Sequence, residues 1–197
     1  MYLTIFAFCC LQHIDLTLSN ALSPSSRSEN LENLKIAKAS GDLLLSIIQD
    51  ILDLSKIEAE QLEVKNDDVF SIQNIVNSSR HLASTIILQK KKNLSFVCTI
   101  DPALNDSIYG DPFRLQQVVN NLISNAVKFT DKGTVTLEVH KIADSKTIQL
   151  SVTDTGKGIP ETHLETIFEP FRQVDIGDTR QLGGTGLGLT VSTTFCR

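Results

Sequence analysis

Three groups of residues have the types and spacing to do chemistry. Asn121 and Asn125 are four apart, so on a helix they share a face, and Lys128 extends that face by a turn. Neutral amide oxygens suit a hard cation such as Mg2+ when phosphates bring the negative charge, and a nearby ammonium can meet phosphate oxygens. Bonding to local backbone groups is the plainer use of such asparagines, and residue type alone does not decide between the two. Asp154 closes an alternating run, Ile148, Leu150 and Val152, that reads as a strand; Thr155, Gly156, Lys157, Gly158 and Ile159 follow. By itself it is good turn chemistry. Beside the asparagine pair it becomes an acceptor for the exocyclic amine of a purine, a contact that separates adenine from guanine. The third group is Gly183, Gly184, Thr185, Gly186, Leu187 and Gly188, four glycines in six positions, whose free backbone and open N–H groups suit a polyanion. Between the last two groups, Phe168 and Phe171 flank Glu169 and Pro170, either as a clip holding a loop to the core or as the hinge of a lid.

The elements that must position these residues can be read from pattern. Ser23 and Pro24 suit the start of a long helix that runs to about Leu62. Leu44, Ile47, Ile51 and Leu54 form one stripe on it, and Leu45, Ile48 and Leu52 a second. The combined face is wider than one seam needs. Residues 3 to 19 can pack back on it across a turn near Asn20 to Pro24, and the remaining face suits a second copy in a four-helix bundle. An extended segment follows at Leu62, Val64, Val69 and Phe70, then a helix from Ile72 through Ile75, Val76, Leu82 and Ile86 to Lys90. Leu94 to Ile100 reads as a strand, and Asp101-Pro102 as a turn. Asp111-Pro112 caps a helix that ends at about Phe129. A turn at Asp131 to Gly133 leads into the strand Thr134 to His140, and Ala143 to Lys146 returns it into Thr147 to Asp154. Residues 63–197 thus form an α+β domain, an antiparallel or mixed sheet with helices on one face, after a helical unit in 1–62.

Composition narrows the function. A net charge of −5 gives no general basic field, so nucleic acid is not expected as a partner. The one basic run, Lys90 to Lys92, reads as a solvated helix end. Cys9, Cys10, Cys98 and Cys196 have no metal-type spacing and read as reduced thiols, which suggests the cytoplasm. The apolar opening lacks the basic start and cleavage site of a secretory signal and is too short to span a bilayer.

Four ordered motifs over about 70 residues are far more specific than a lone glycine motif. The stretch from Asn121 to Thr130 resembles the N box of the histidine kinases of two-component signalling, and Asp154 to Ile159 their first glycine box. Phe168 to Phe171 resembles their F box, and Gly184 to Leu189 their second glycine box. Leu44 to Glu60, with its run Ile51 to Glu58, is similar to the second helix of the family's dimerisation and phosphotransfer hairpin, and Gln173 to Arg180 is closest to hybrid kinases, in which a receiver domain follows. The resemblance implies a Bergerat-type ATP-binding sandwich preceded by a partial hairpin. It implies that Asn125 ligates Mg2+, that Asn121 positions metal and phosphate, and that Lys128 contacts phosphate. Asp154 would read the adenine amine, with Gly156, Gly158 and Ile159 beside it, and amides from Gly184, Thr185, Gly186, Leu187 and Gly188 would cover the phosphates. The reaction implied is transfer of the ATP γ-phosphoryl group to a histidine, with an acceptor-histidine helix and a response-regulator receiver domain as partners and a homodimer or heterodimer as the assembly.

Two departures from the family matter. Its ATP-hydrolysing cousins carry a glutamate four residues before the metal asparagine, where this chain has Asn121, which cannot take a proton; hydrolysis is therefore disfavoured. The acceptor box is not found, since its place would fall at Met1, and His13, His81, His140 and His163 read as surface or partly packed histidines. The C-terminal strands of a complete member are also not found, so the chain reads as an excerpt with an unpaired sheet edge and marginal stability.

Overall fold

The computed structural model describes residues 27–59, 68–143, 147–173 and 185–195. The chain divides into two compact units, Met1–Glu60 and Gln61–Arg197. In the first, helix α1 covers Arg27–Glu58. Its two apolar stripes differ: Ile47 is buried and Leu44, Ile51 and Leu54 are half-buried, whereas Leu45, Ile48 and Leu52 are exposed. The helix ends at Glu58 rather than Leu62, where the Ala59 N–H bonds back to the Ser55 carbonyl at 3.1 Å. The expected first hairpin helix, the turn at Asn20 to Pro24 and the extended residues Leu62 and Val64 lie outside the described residues.

The second unit opens with β1 (Asp68–Ser71) and α2 (Ile72–Gln89). Ser71 switches the chain from strand to helix: its hydroxyl accepts the Asn74 N–H at 3.3 Å, satisfying one of the donors that every helix start leaves free. Strand β2 (Asn93–Ile100) follows, then β3 (Ser107–Gly110), α3 (Pro112–Phe129), β4 (Lys132–Lys141) and β5 (Ile148–Asp154). Single turns of 3-10 helix at Glu161–His163 and Thr166–Phe168 precede α4 (Gly188–Phe195). β3 is not visible in the sequence pattern. It is short, turn residues bracket it, and it holds only by antiparallel pairing with β1 from Asp68↔Gly110 to Ser71↔Ser107.

The main sheet has the order β2-β4-β5 and is mixed: β2 runs parallel to β4, and β4 antiparallel to β5. A parallel pair needs a crossover, and α3 supplies it between β2 and β4. Alternation along β4 sends Val135, Leu137 and Val139 into the core, each fully buried, where they meet Ile75 and Val76 of α2 and Ile123 and Val127 of α3. The opposite face carries polar residues such as Thr136, Glu138 and His140. The fold class is therefore α+β, with helices on one face of a mixed sheet.

The central strand is the natural place to test this packing. Leu137→Ala removes a side chain with no exposed surface, and we expect a loss of ~2–5 kcal/mol in urea unfolding at an unchanged slope. A loss under ~1 kcal/mol would contradict the assigned register.

Candidate nucleotide-binding site

Side chains set both ends of α3, the helix that carries the asparagine pair. At its start the Asp111 carboxylate accepts the Arg114 N–H at 3.0 Å, and Pro112 occupies the first turn. At its end the last carbonyls lack helical partners. The Ala126 carbonyl takes the Thr130 N–H at 3.1 Å, and those of Val127 and Lys128 take the Lys92 ammonium, each at 2.9 Å. Lys92 also donates to the Thr130 carbonyl at 2.8 Å and meets Asp131 at 3.2 Å, with only 12% of its side chain exposed. The expectation that Lys90 to Lys92 is a solvated helix end is thus corrected for Lys92. Its ammonium sits at the negative end of the α3 dipole, and its stem is packed.

On α3, the Asn125 amide donates to Asn121 Oδ1 at 3.4 Å, and the Asn121 amide donates to the Ser192 hydroxyl of α4 at 3.0 Å. Gly188, the first residue of α4, lies so close to the Asn121 carboxamide that a Cβ there would overlap it. The asparagine pair and the second glycine box therefore form one assembly. Asn125 Oδ1 accepts from no group among the described residues, so it is a partly buried oxygen available to a cation. No cluster of three His, Cys, Asp or Glu residues that could hold a metal occurs among the described residues. The Asn125 carboxamide oxygen is a neutral, hard donor compatible with Mg2+ whose negative ligands come from phosphate.

Asp154 ends β5 beside the close of α3. Its Oδ1 accepts the Gly156 N–H at 2.8 Å and the hydroxyl of the fully buried Thr130 at 3.3 Å. No described group bonds Oδ2, and the residue is exposed, so one carboxylate oxygen is fixed and the other is free to accept. Gly156 makes the arrangement possible. A Cβ there would stand 2.6 Å from the Phe129 carbonyl and 2.7 Å from Asp154 Oδ1. Gly158 has φ +69° and turns the chain so that Ile159 is left 46% exposed at the edge of the loop.

Lys128 lies at a shallow cleft of about 240 Å³ lined also by Phe129, Asp131, Lys132, Thr155, Gly156 and Lys157. Its ammonium stands 4.7 Å from the Phe129 ring centre and that of Lys157 5.6 Å from it. Burial, and then the like charge of Lys90, lower the Lys128 pKa from the ordinary 10.5. Neither asparagine lines this cleft, so the structure gathers the Asn121–Asn125 pair with α4, and Lys128 with Gly156, as two adjoining groups on one helix.

The F-box segment is tied to the glycine run. The Phe171 N–H donates to the Gly186 carbonyl at 3.0 Å, and the Thr190 hydroxyl to the Phe168 carbonyl at 2.8 Å. Gly186 has φ +72°, and a Cβ there would come within 2.8 Å of the Phe171 backbone. Leu187 is buried, and its N–H donates to the Thr185 hydroxyl at 3.0 Å. Gly183, Gly184 and residues 174–180 lie outside the described residues, as do His13, Cys9, Cys10 and Cys196; Cys98 is a free thiol. His140 stands on the open face of the sheet, 4.0 Å from Glu138. Pattern reading missed the supporting roles of Thr130, Ser192 and Lys92. A buried hydroxyl just after a helix end was a signal for Thr130, and a serine one turn after Gly188 for Ser192. Lys92 gave none, because its partners are 35 to 39 residues away.

A mixed sheet covered on one face by α2 and α3, with paired asparagines on α3 and a strand-end aspartate beside a glycine turn, defines a Bergerat-type ATP-binding domain. Residues 110–197 match the family model described as histidine kinase-, DNA gyrase B- and HSP90-like ATPase. The chain is 45% identical to sensor histidine kinase RcsC of Escherichia coli K12 over 153 residues, which cover 77% of this chain and 16% of RcsC. It is 39% identical to hybrid signal transduction histidine kinase B of Dictyostelium discoideum over 173 residues, 86% of this chain and 9% of that protein. Full-length ShkA, solved with AMPPNP, superposes with a TM-score of 0.67 at 26% identity, covering 98% of this chain and 38% of ShkA. The chain carries an ATP-binding domain of the kind found in histidine kinases. It spans less than a fifth of the length of either curated relative.

The lowered pKa of Lys128 has a measurable sign. Folding disfavours its charged form, so the penalty is present below the folded pKa and is relieved as pH rises toward 10.5, where the unfolded chain also deprotonates. Urea unfolding between neutral and alkaline pH should show wild type gaining stability relative to Lys128→Met across that window. A constant difference between the two proteins would refute the burial of this charge.

Proposed function

We propose that this chain binds ATP with Mg2+ and that the γ-phosphoryl group passes to a histidine nitrogen on an acceptor helix, in trans or elsewhere in a longer parent. The observation that carries the proposal is the half-committed Asp154 carboxylate, held by Gly156 and Thr130, beside a helix with an available Asn125 oxygen. Asp154 Oδ2 accepts from the adenine amine, with Gly156, Gly158 and Ile159 around the base. Asn125, oriented by Asn121, would hold Mg2+, which would supply neutralisation of the phosphate charge. Lys128 meets phosphate oxygens, and the segment from Gly184 to Gly188 covers them. The phosphorus–nitrogen bond forms as the bond from the γ-phosphorus to the bridging oxygen breaks and that oxygen departs on ADP. Asn121 stands where a general base for water would be needed, so positioning and charge neutralisation do most of the work and hydrolysis is not the main outcome.

Within this proposal residues 1–62 are part of a dimerisation and phosphotransfer hairpin and 63–197 are the catalytic domain. The exposed stripe of Leu45, Ile48 and Leu52 supports pairing with a second copy or with an intact kinase. A receiver domain is the next partner in the relay, nucleic acid is not a partner, and the site of action is the cytoplasm. No described helix is long and apolar enough to cross a membrane.

Incubation with γ-labelled ATP, Mg2+ and a separate protein bearing an acceptor box should place acid-labile, base-stable phosphate on histidine, and Asn125→Ala should reduce it by at least about 100-fold. A full-length kinase that labels the same acceptor while this chain does not would sink the catalytic reading. The open α1 stripe favours one other reading, a nucleotide-binding or dimerisation remnant. That reading predicts nucleotide binding without transfer, together with heterodimers in sedimentation.

A further inference from the structure

We propose that Lys92 is a positioning residue for the nucleotide site, acting through the end of α3 on both Lys128 and Asp154. This rests on the function proposed above. Lys92 occupies the turn between α2 and β2, a region that none of the four motifs includes. It is reached through Lys91, which takes a positive φ of 50°, and its N–H bonds back to the Ile87 carbonyl at 3.1 Å. The turn therefore has a fixed geometry that aims the side chain under α3.

The ammonium has three protons and four acceptors: the carbonyls of Val127, Lys128 and Thr130, and the Asp131 carboxylate. Two of these belong to residues that serve the site. The Lys128 carbonyl fixes the backbone from which the phosphate-contacting side chain departs. The Thr130 carbonyl fixes the residue whose hydroxyl holds Asp154 Oδ1. Lys132, next to Asp131, then starts β4, and Asn93, next to Lys92, pairs with Lys132 in the parallel ladder. One buried charge thus ties the α2–β2 turn, the α3 terminus and the start of β4 to the turn that carries the base acceptor. A neutral side chain would leave two or three buried carbonyls unmet, and the α3 end would shift or fray.

A residue that only stabilised the fold would change unfolding but not base selectivity. Lys92→Met and Lys92→Arg are therefore compared with wild type in the full 197-residue chain. The readings are calorimetric titration with AMPPNP or its guanine counterpart in Mg2+, and thermal unfolding of the free proteins. In folded Lys92→Met we expect AMPPNP affinity to fall about tenfold and the preference for adenine over guanine to shrink. Lys92→Arg, which keeps charge and donors, should recover most of both. If Lys92→Met does not fold at the assay temperature, Lys92→Gln, which keeps an amide donor, is read in the same way. A folded Met or Gln variant with wild-type affinity and wild-type preference overturns the proposal. Wild type that binds neither nucleotide overturns the proposed function and this inference with it. Wild-type binding with unaltered variants overturns only the inference.

Discussion

The last turn of α3 leaves its carbonyls without helical partners, and the way those carbonyls are met decides the shape of the nucleotide site. A helix end of this kind carries partial negative charge and cannot be buried bare. Three different groups meet it here. The Thr130 N–H closes on Ala126, the Lys92 ammonium takes Val127 and Lys128, and the Gly156 turn, lacking a Cβ, packs against the Phe129 carbonyl. The closure that protects the helix end also brings Asp154 to it. Structural need and the proposed ligand recognition therefore share the same few atoms, with the Thr130 hydroxyl as the link between core and carboxylate.

The other end of the same face depends on α4. Asn121 bonds Ser192 and packs on Gly188, so its carboxamide is held in one orientation by the helix that follows the glycine run. The F-box segment is bonded to that helix and to Gly186. A ligand that gathered the glycine run around its phosphates would act on Asn121 through two direct contacts. This gives a physical reason for the order of the motifs: the segment proposed to cover the phosphates is continuous with the helix that orients the asparagine.

Much of this was legible in the sequence because its signals are local. Asp111-Pro112 states the start of α3 in two residues, and the alternation of Val135, Leu137 and Val139 states which face of β4 is buried. The asparagine pair, Asp154 and the glycines could be picked out by spacing and order, while the roles expected of them came from the family resemblance. What was missed has distant partners. β3 exists only because β1 is beside it. Lys92 looked like one of three solvated lysines, since nothing within its own turn reveals that a second helix ends above it. The end of α1 was overextended because the apolar pattern continues past the residue at which the helix stops. The equal standing given to the two stripes of α1 also needed the structure to resolve, since the sequence shows that both are apolar but not which one is covered.

The central claim is that Asp154 Oδ2 accepts from the exocyclic amine of adenine. It is tested most directly by comparing ATP with purine riboside triphosphate, which lacks that amine, on wild type and on Asp154→Ala. Wild type should bind ATP more tightly by about tenfold or more, and the difference should vanish in the variant, as expected when the hydrogen bond is to a charged acceptor. Equal binding of the two nucleotides by wild type, or a difference that persists without the carboxylate, would contradict the assignment.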